Sequence, residues 1–150
     1  MSKLRWLIGL VMAACMAACS SVPSAQRQHQ RQEAYVAAAG SAVPHFRFVT
    51  LYSWEPLSDK QVVIYTRPNE AWLLDLGGGC PQLQYTPGIA VTSMFSQVSI
   101  NFDKILTGRD YFPCTITQIR PVDVARLKIE QQAQRTINSQ PRNQTSPAGT

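Results

Sequence analysis

The segment of the chain that decides the fold is residues 61–76, QVVIYTRPNEAWLLDL. Two runs rich in Val, Ile, Tyr, Trp and Leu flank the group RPNE at residues 67–70. Such runs favour strands because branched and aromatic side chains pack well on a pleated sheet, and Pro and Asn are typical of turns. The segment predicts an antiparallel hairpin in which Trp72, Leu74 and Leu76 share one face and Asp75 lies on the other.

Similar short runs recur about every ten residues up to residue 120, a spacing typical of an all-β sandwich or barrel. In the last run Ile119 falls out of phase with Cys114 and Ile116, and a bulge near Thr117 and Gln118 would restore the alternation. We therefore expect a mainly β fold, a small antiparallel β-barrel or sandwich. The predicted strands cover residues 46–52, 61–66, 71–76, 88–93, 97–101, 104–107 and 112–119.

A helix is predicted after the strands, over residues 122–137. Asp123 suits the cap position, and Val122, Ala125, Ile129 and Ala133 form an apolar stripe that can pack on a sheet face or barrel mouth. Residues 46–137 thus make up the β-rich domain with its C-terminal helix. The polar residues 138–150, NSQPRNQTSPAGT, are predicted to be a disordered tail.

The residues before the β-rich region are polar and rich in glutamine, which predicts a tether over residues 19–45. Within it, residues 25–39 favour a short helix that ends at Gly40. As a flexible coil, the 26 residues 20–45 would span roughly 25–30 Å. Such a tether would hold the domain clear of a membrane surface.

The first residues read as a targeting signal. Lys3 and Arg5 precede 13 residues without formal charge, WLIGLVMAACMAA at 6–18. A spanning helix needs about 20 apolar residues, whereas this length suits the hydrophobic part of a signal peptide. We predict that residues 1–18 are removed as a lipoprotein signal peptide.

The signal ends in Met16-Ala17-Ala18-Cys19, which resembles the lipobox that precedes the acylated cysteine of bacterial lipoproteins. The same four letters end at Cys15, but the polar Ser20 directly follows Cys19, so Cys19 is the preferred lipidation site and Cys15 the alternative. The resemblance implies two or more acyl chains on one cysteine, which anchor a protein firmly to lipid. Ser20, rather than Asp, implies the outer membrane, with the protein facing the periplasm.

The basic net charge belongs to the ends of the chain. The formal net charge is +5, but Lys3 and Arg5 leave with the signal, residues 46–123 carry −1, and residues 124–150 carry +3. A nucleic-acid-binding domain concentrates Lys and Arg on its folded face. We therefore predict no nucleic-acid partner.

Two cysteines, Cys80 and Cys114, lie within the β-rich region. An oxidising compartment favours a disulfide between them. Zinc needs three or four ligands, and both histidines, His29 and His45, precede the core, so no metal is predicted. No base is placed beside a nucleophile, so no catalytic residue and no cofactor are predicted.

The stretch from residue 54 to 123, about half of the chain, resembles a family of bacterial lipoproteins catalogued only as a domain of unknown function. The resemblance implies an anchored, disulfide-bearing β-domain and no known activity. It is carried by Cys80, Leu83 and the elements WEPL (54–57), VIYT (63–66), AWLLDL (71–76), IAVTS (89–93), CTI (114–116) and IRPVD (119–123).

These features predict a periplasmic lipoprotein, anchored to membrane lipid through acylated Cys19, of unknown biochemical activity. Its expected role is that of a non-enzymatic envelope interaction or accessory module, with an envelope protein as the possible partner. The alternatives are a small-ligand-binding β-barrel and a small envelope hydrolase. The ligand-binding residues stay open.

Overall fold

The computed structural model of the protein describes residues 23–139. These residues form two α-helices, eight strands and a short 3-10 helix, Pro81–Gln84. The helices are α1 (Ser24–Ala38) and α2 (Val124–Ser139). The strands are β1 (His45–Arg47), β2 (Ser53–Pro56), β3 (Gln61–Arg67), β4 (Glu70–Leu76), β5 (Ala90–Val91), β6 (Gln97–Ser99), β7 (Lys104–Leu106) and β8 (Cys114–Val122).

Six of the strands form one curled antiparallel sheet, a half-barrel, in the order β2-β3-β4-β8-β7-β5. The pair β1–β6 forms a second, two-stranded sheet whose Phe46 and Val98 join the core of the curled sheet. The predicted mainly β class and C-terminal helix are confirmed. Several strands differ from the prediction: β2 was not predicted, the strand predicted over 46–52 ends at Arg47, and the strand predicted from residue 112 begins only at Cys114.

The predicted hairpin lies at the centre of the sheet as β3 and β4. Val62, Val63 and Ile64 are all buried, because both faces of the sheet are covered. One face, with Ile64 and Leu74, holds the core inside the curl, and the other, with Val63, packs against the helices. The uninterrupted apolar run in β3 reflects this two-sided burial.

The bulge expected in the last strand is present in β8. Leu76 pairs with Ile116, but the preceding Asp75 pairs with Gln118, so Thr117 is the extra residue. The insertion keeps both Ile116 and Ile119 buried. The break in the alternation of apolar residues along the sequence therefore predicted the position of the β-bulge.

Helix α2 begins at Val124, two residues later than predicted, and a different face of it is buried. Asp123 accepts a hydrogen bond from the Arg126 N–H at 3.0 Å and so caps the helix. Val124 and Leu127 pack against α1 and the sheet, whereas Ile129 of the predicted stripe is 69% exposed. The predicted stripe is therefore wrong, because the chain leaves β8 in an orientation that turns Val124 inward.

The helix expected within the tether is present as α1, but it is part of the folded domain. Its Ala34, Tyr35 and Ala38 are buried against the sheet. Beyond it, Gly40 and Val43 donate backbone hydrogen bonds to β8. The ordered domain thus begins at Ser24 rather than at residue 46, and the picture of a flexible tether over residues 24–45 is corrected.

The predicted signal peptide, Cys15, Cys19 and the tail from residue 140 lie outside the described residues. Within residues 23–139, no helix combines the length and the hydropathy needed to cross a membrane.

Candidate functional site

The two core cysteines form the predicted disulfide. Cys80 lies after the glycine-rich end of β4, and Cys114 is the first residue of β8, with their Cα atoms 5.7 Å apart. Both residues are buried. The bond joins two neighbouring strands of the curled sheet at one of its ends, which we call the disulfide end.

A groove of about 410 Å³ lies beside this bond, and we call it the disulfide groove. Its size is within the range of small-molecule sites. The Oγ1 of Thr107 in its wall is buried and has no hydrogen-bond partner among the described residues. The groove is lined by Gly79, Cys80, Pro81, Gln82, Thr107, Asp110, Tyr111, Phe112, Pro113 and Cys114.

A wider cleft of about 600 Å³ adjoins the groove and shares Tyr111 and Pro113 with it. Its remaining lining is mainly apolar and includes Ile89 and Leu106. Phe112, beside the shared wall, is 94% exposed. Together the two depressions place exposed aromatic and apolar side chains at the disulfide end.

The sequence did not identify this surface. It assigned Phe112 to a strand, and Tyr85, which is 83% exposed, lies between two predicted strands. The aromatic residues Trp54, Tyr65 and Trp72, by contrast, pack against the two cores. In the structure β7 ends at Leu106 and β8 begins at Cys114, so residues 107–113 form a loop rather than a strand.

A polar cluster fixes α1 to the helix-covered face of the sheet, opposite the core inside the curl. The hydroxyl of Tyr35 donates to Glu55 Oε2 at 2.6 Å and lies 2.8 Å from the hydroxyl of Tyr65. Arg31 contacts the other oxygen of Glu55 at 3.0 Å. Burial raises the pKa of Tyr35 far above its ordinary value, and the hydrogen bond to Glu55 raises it further; burial also raises the pKa of Tyr65.

A second series of polar contacts runs beside this cluster. Gln32 of α1 donates to Gln61 Oε1 at 2.6 Å, and Gln61 in turn donates to Asp75. Asp75 also forms an ion pair with Arg120 at 3.0 Å. Both oxygens of Glu55 and of Asp75 thus have partners that join one element to another. We interpret the two series as a structural attachment of α1.

The predicted site residues divide as follows. The structure brings Cys80 and Cys114 together, and it places His29 and His45 on α1 and β1. In residues 23–139, no group of three or more His, Cys, Asp or Glu side chains could hold a metal ion. Cys19, the predicted lipidation site, lies before the first described residue.

The comparison with protein families matches residues 2–138 to a family of unknown function, DUF6491. The match covers most of the chain, and the protein belongs to this family. Neither a curated protein nor a solved structure matches it.

Proposed function

We propose that this family member is a lipoprotein of the bacterial cell envelope, anchored through acylated Cys19. The observation that carries the proposal is the distribution of its four cysteines. Cys80 and Cys114 are joined in the core, which fits an oxidising compartment. Cys15 and Cys19 both lie in or directly after a short apolar segment with a basic start. Export of the chain and acylation of a cysteine account for both pairs.

We place the anchored protein on the outer membrane, facing the periplasm. Ser20 after the acylated cysteine supports this location. Two or more acyl chains give stable attachment to lipid without a transmembrane helix.

The domain's role in this proposal is binding, as an interaction or accessory module without catalysis of its own. Buried Tyr35 and the partly buried Glu55 and Asp75 support this, because all three side chains are engaged in holding α1 to the sheet. The exposed side chains at the ends of the strands, such as Phe112 and Phe95, are instead free to contact other molecules.

The anchor is tested by metabolic labelling with a clickable fatty acid in cells that express the wild type, Cys19→Ala or Cys15→Ala. Membrane fractionation of the same cells follows. We expect Cys19→Ala to lose the label and the membrane association, and Cys15→Ala to keep both. Labelling of Cys19→Ala at the wild-type level would refute the assignment, and selective loss in Cys15→Ala would move the anchor to Cys15.

The interaction role is tested with a photo-crosslinking residue at Phe95 or Phe102, both of which are exposed apolar positions. The matched control is exposed Gln132 on α2. We expect mass spectrometry of irradiated intact cells to identify the same envelope protein from one of the apolar positions and not from Gln132. Equal adducts from all three positions would argue against a specific partner surface.

A second candidate function is the binding of a small molecule in the disulfide groove. The unpartnered hydroxyl of Thr107 favours it, because a buried polar group without a partner is costly and a bound ligand could satisfy it. Native mass spectrometry of the protein purified from its envelope tests this function. A co-purified mass that is absent from Thr107→Val would support it, and an unliganded mass in both proteins would count against it.

A further inference from the structure

The disulfide end of the sheet is also the end at which α1 begins. Gln28, in the first turns of α1, donates to the carbonyl of Leu57 at 3.2 Å. Leu57 starts the turn between β2 and β3, and in the same turn the carbonyl of Asp59 accepts a hydrogen bond from the Cys80 N–H. Two hydrogen bonds and one turn therefore connect the start of the helix to the wall of the disulfide groove.

The chain enters this end directly from the proposed anchor. Only residues 20–23 separate Cys19 from Ser24, where α1 begins. Fully extended, five residue steps span at most about 18 Å. Because α1 is packed on the sheet, this short connection replaces the 26-residue tether. An acyl chain on Cys19 would therefore hold the start of α1 within about 18 Å of the lipid.

The side chains exposed at this end suit the boundary between headgroups and acyl chains. Phe112 and Tyr85 are almost fully exposed, and Tyr111 is half exposed. Aromatic side chains are enriched at the membrane–water interface, where an apolar ring and a polar tip are both accommodated. Exposed apolar patches mark sites of contact with another protein or with a membrane.

Basic side chains border the aromatic surface. Lys60 lies in the β2–β3 turn and Arg109 in the loop before Tyr111, and both are exposed. Lys60 follows Asp59 and Arg109 precedes Asp110, so the local formal charge is balanced. The exposed Arg27 of α1 lies elsewhere, in a depression with Glu55 and Arg135. The aromatic side chains, rather than a net charge, therefore suit this end to a lipid surface.

We propose that the disulfide end docks on the phospholipid bilayer that carries the anchor, with Phe112 and Tyr111 at the headgroup boundary. This inference rests on the proposed acylation of Cys19. In this orientation the opposite end of the sheet, at the turn between β3 and β4, faces away from the membrane. Phe95 lies toward that end, because the neighbouring strand β1 leads to Arg47, which borders the same turn.

The test compares Phe112→Trp with the matched control Phe95→Trp, since both phenylalanines are almost fully exposed, at 94% and 96%. Each acylated protein, from Cys19 to Thr150, is reconstituted into phosphatidylcholine vesicles that contain lipids brominated near the headgroup. Bromine quenches tryptophan only at short range, and Trp54 and Trp72 are common to both proteins. Flotation of the vesicles measures anchoring separately.

We expect both proteins to float with the vesicles. Brominated lipid should reduce the tryptophan emission of Phe112→Trp by at least about twofold more than that of Phe95→Trp, because an interfacial group inserts by roughly 5–10 Å and so comes within range of the bromine. Flotation of both proteins with equal quenching would overturn the docking and leave the anchor intact. Failure of both proteins to float would overturn the anchor and, with it, the docking. Stronger quenching of Phe95→Trp would show that the opposite end faces the lipid.

Discussion

Breaking the Cys80–Cys114 bond should remove a large part of the domain's stability. The cysteines lie 34 residues apart, so the bond closes a long loop in the unfolded chain. The loop-entropy relation gives a loss of about 3–4 kcal/mol for a loop of this length. A domain of this size has a free energy of unfolding of roughly 5–15 kcal/mol, so the reduced protein should stay folded with a much smaller margin.

Urea unfolding followed by circular dichroism measures this loss. With a denaturant slope of about 2 kcal/mol per molar, the midpoint should fall by about 1.5–2 M after reduction. The control is the double variant Cys80→Ala/Cys114→Ala, which removes the buried sulfur atoms as well as the bond. We expect it to unfold at a slightly lower urea concentration than the reduced wild type, because it also loses core packing.

Two results would refute the reasoning. A reduced wild type whose midpoint lies within about 0.3 M of the oxidised protein would show that the bond does not limit the unfolded chain. If only the double variant were destabilised, the sulfur atoms would matter through their packing in the core and not through the cross-link.

Three further changes test the site and its surroundings. Folding raises the pKa of Tyr35, so the stability that its protonated hydroxyl contributes is complete below the ordinary tyrosine pKa of about 10 and is lost as the pH rises above it. Tyr35→Phe should lower the urea midpoint at pH 7 and flatten the decline of that midpoint above pH 10. An equally steep decline in the variant and the wild type would contradict this. Asp123→Ala should cost about 1 kcal/mol by removing the cap of α2, whereas Asp123→Asn should keep most of it in the same assay. Thr107→Val should leave the thermal midpoint unchanged or raise it, because the hydroxyl has no hydrogen-bond partner. A fall in the free energy of unfolding of more than about 1 kcal/mol would reveal a hydrogen bond or a bound molecule in the disulfide groove.

Local patterns in the sequence carried the prediction of the fold a long way. The strand propensity and turn residues of 61–76 gave the central hairpin, and the phase of Ile119 located the bulge at Thr117. The cap at Asp123 followed from its side chain alone. These features depend on neighbours within a few residues, which is the range that sequence periodicity reports.

The position of α1 was beyond such patterns. Its residues are polar on average, and the three that decide its attachment, Ala34, Tyr35 and Ala38, resemble ordinary helix residues. What fixes the helix is a set of partners distant in the chain, such as Glu55, 20 residues away from Tyr35. The same holds for the inward face of α2, which depends on how the chain leaves β8.

The sequence by itself determined the class of the fold, the pairing of its cysteines and the short apolar start of the chain. Only the tertiary structure decided that the folded domain begins at Ser24, and that Tyr111 and Phe112 are exposed beside the disulfide groove. The physical reason is that propensity and periodicity are local properties. The distance from the anchor to the domain and the composition of the disulfide end depend instead on long-range packing, which brings α1, the β2–β3 turn and the start of β8 together.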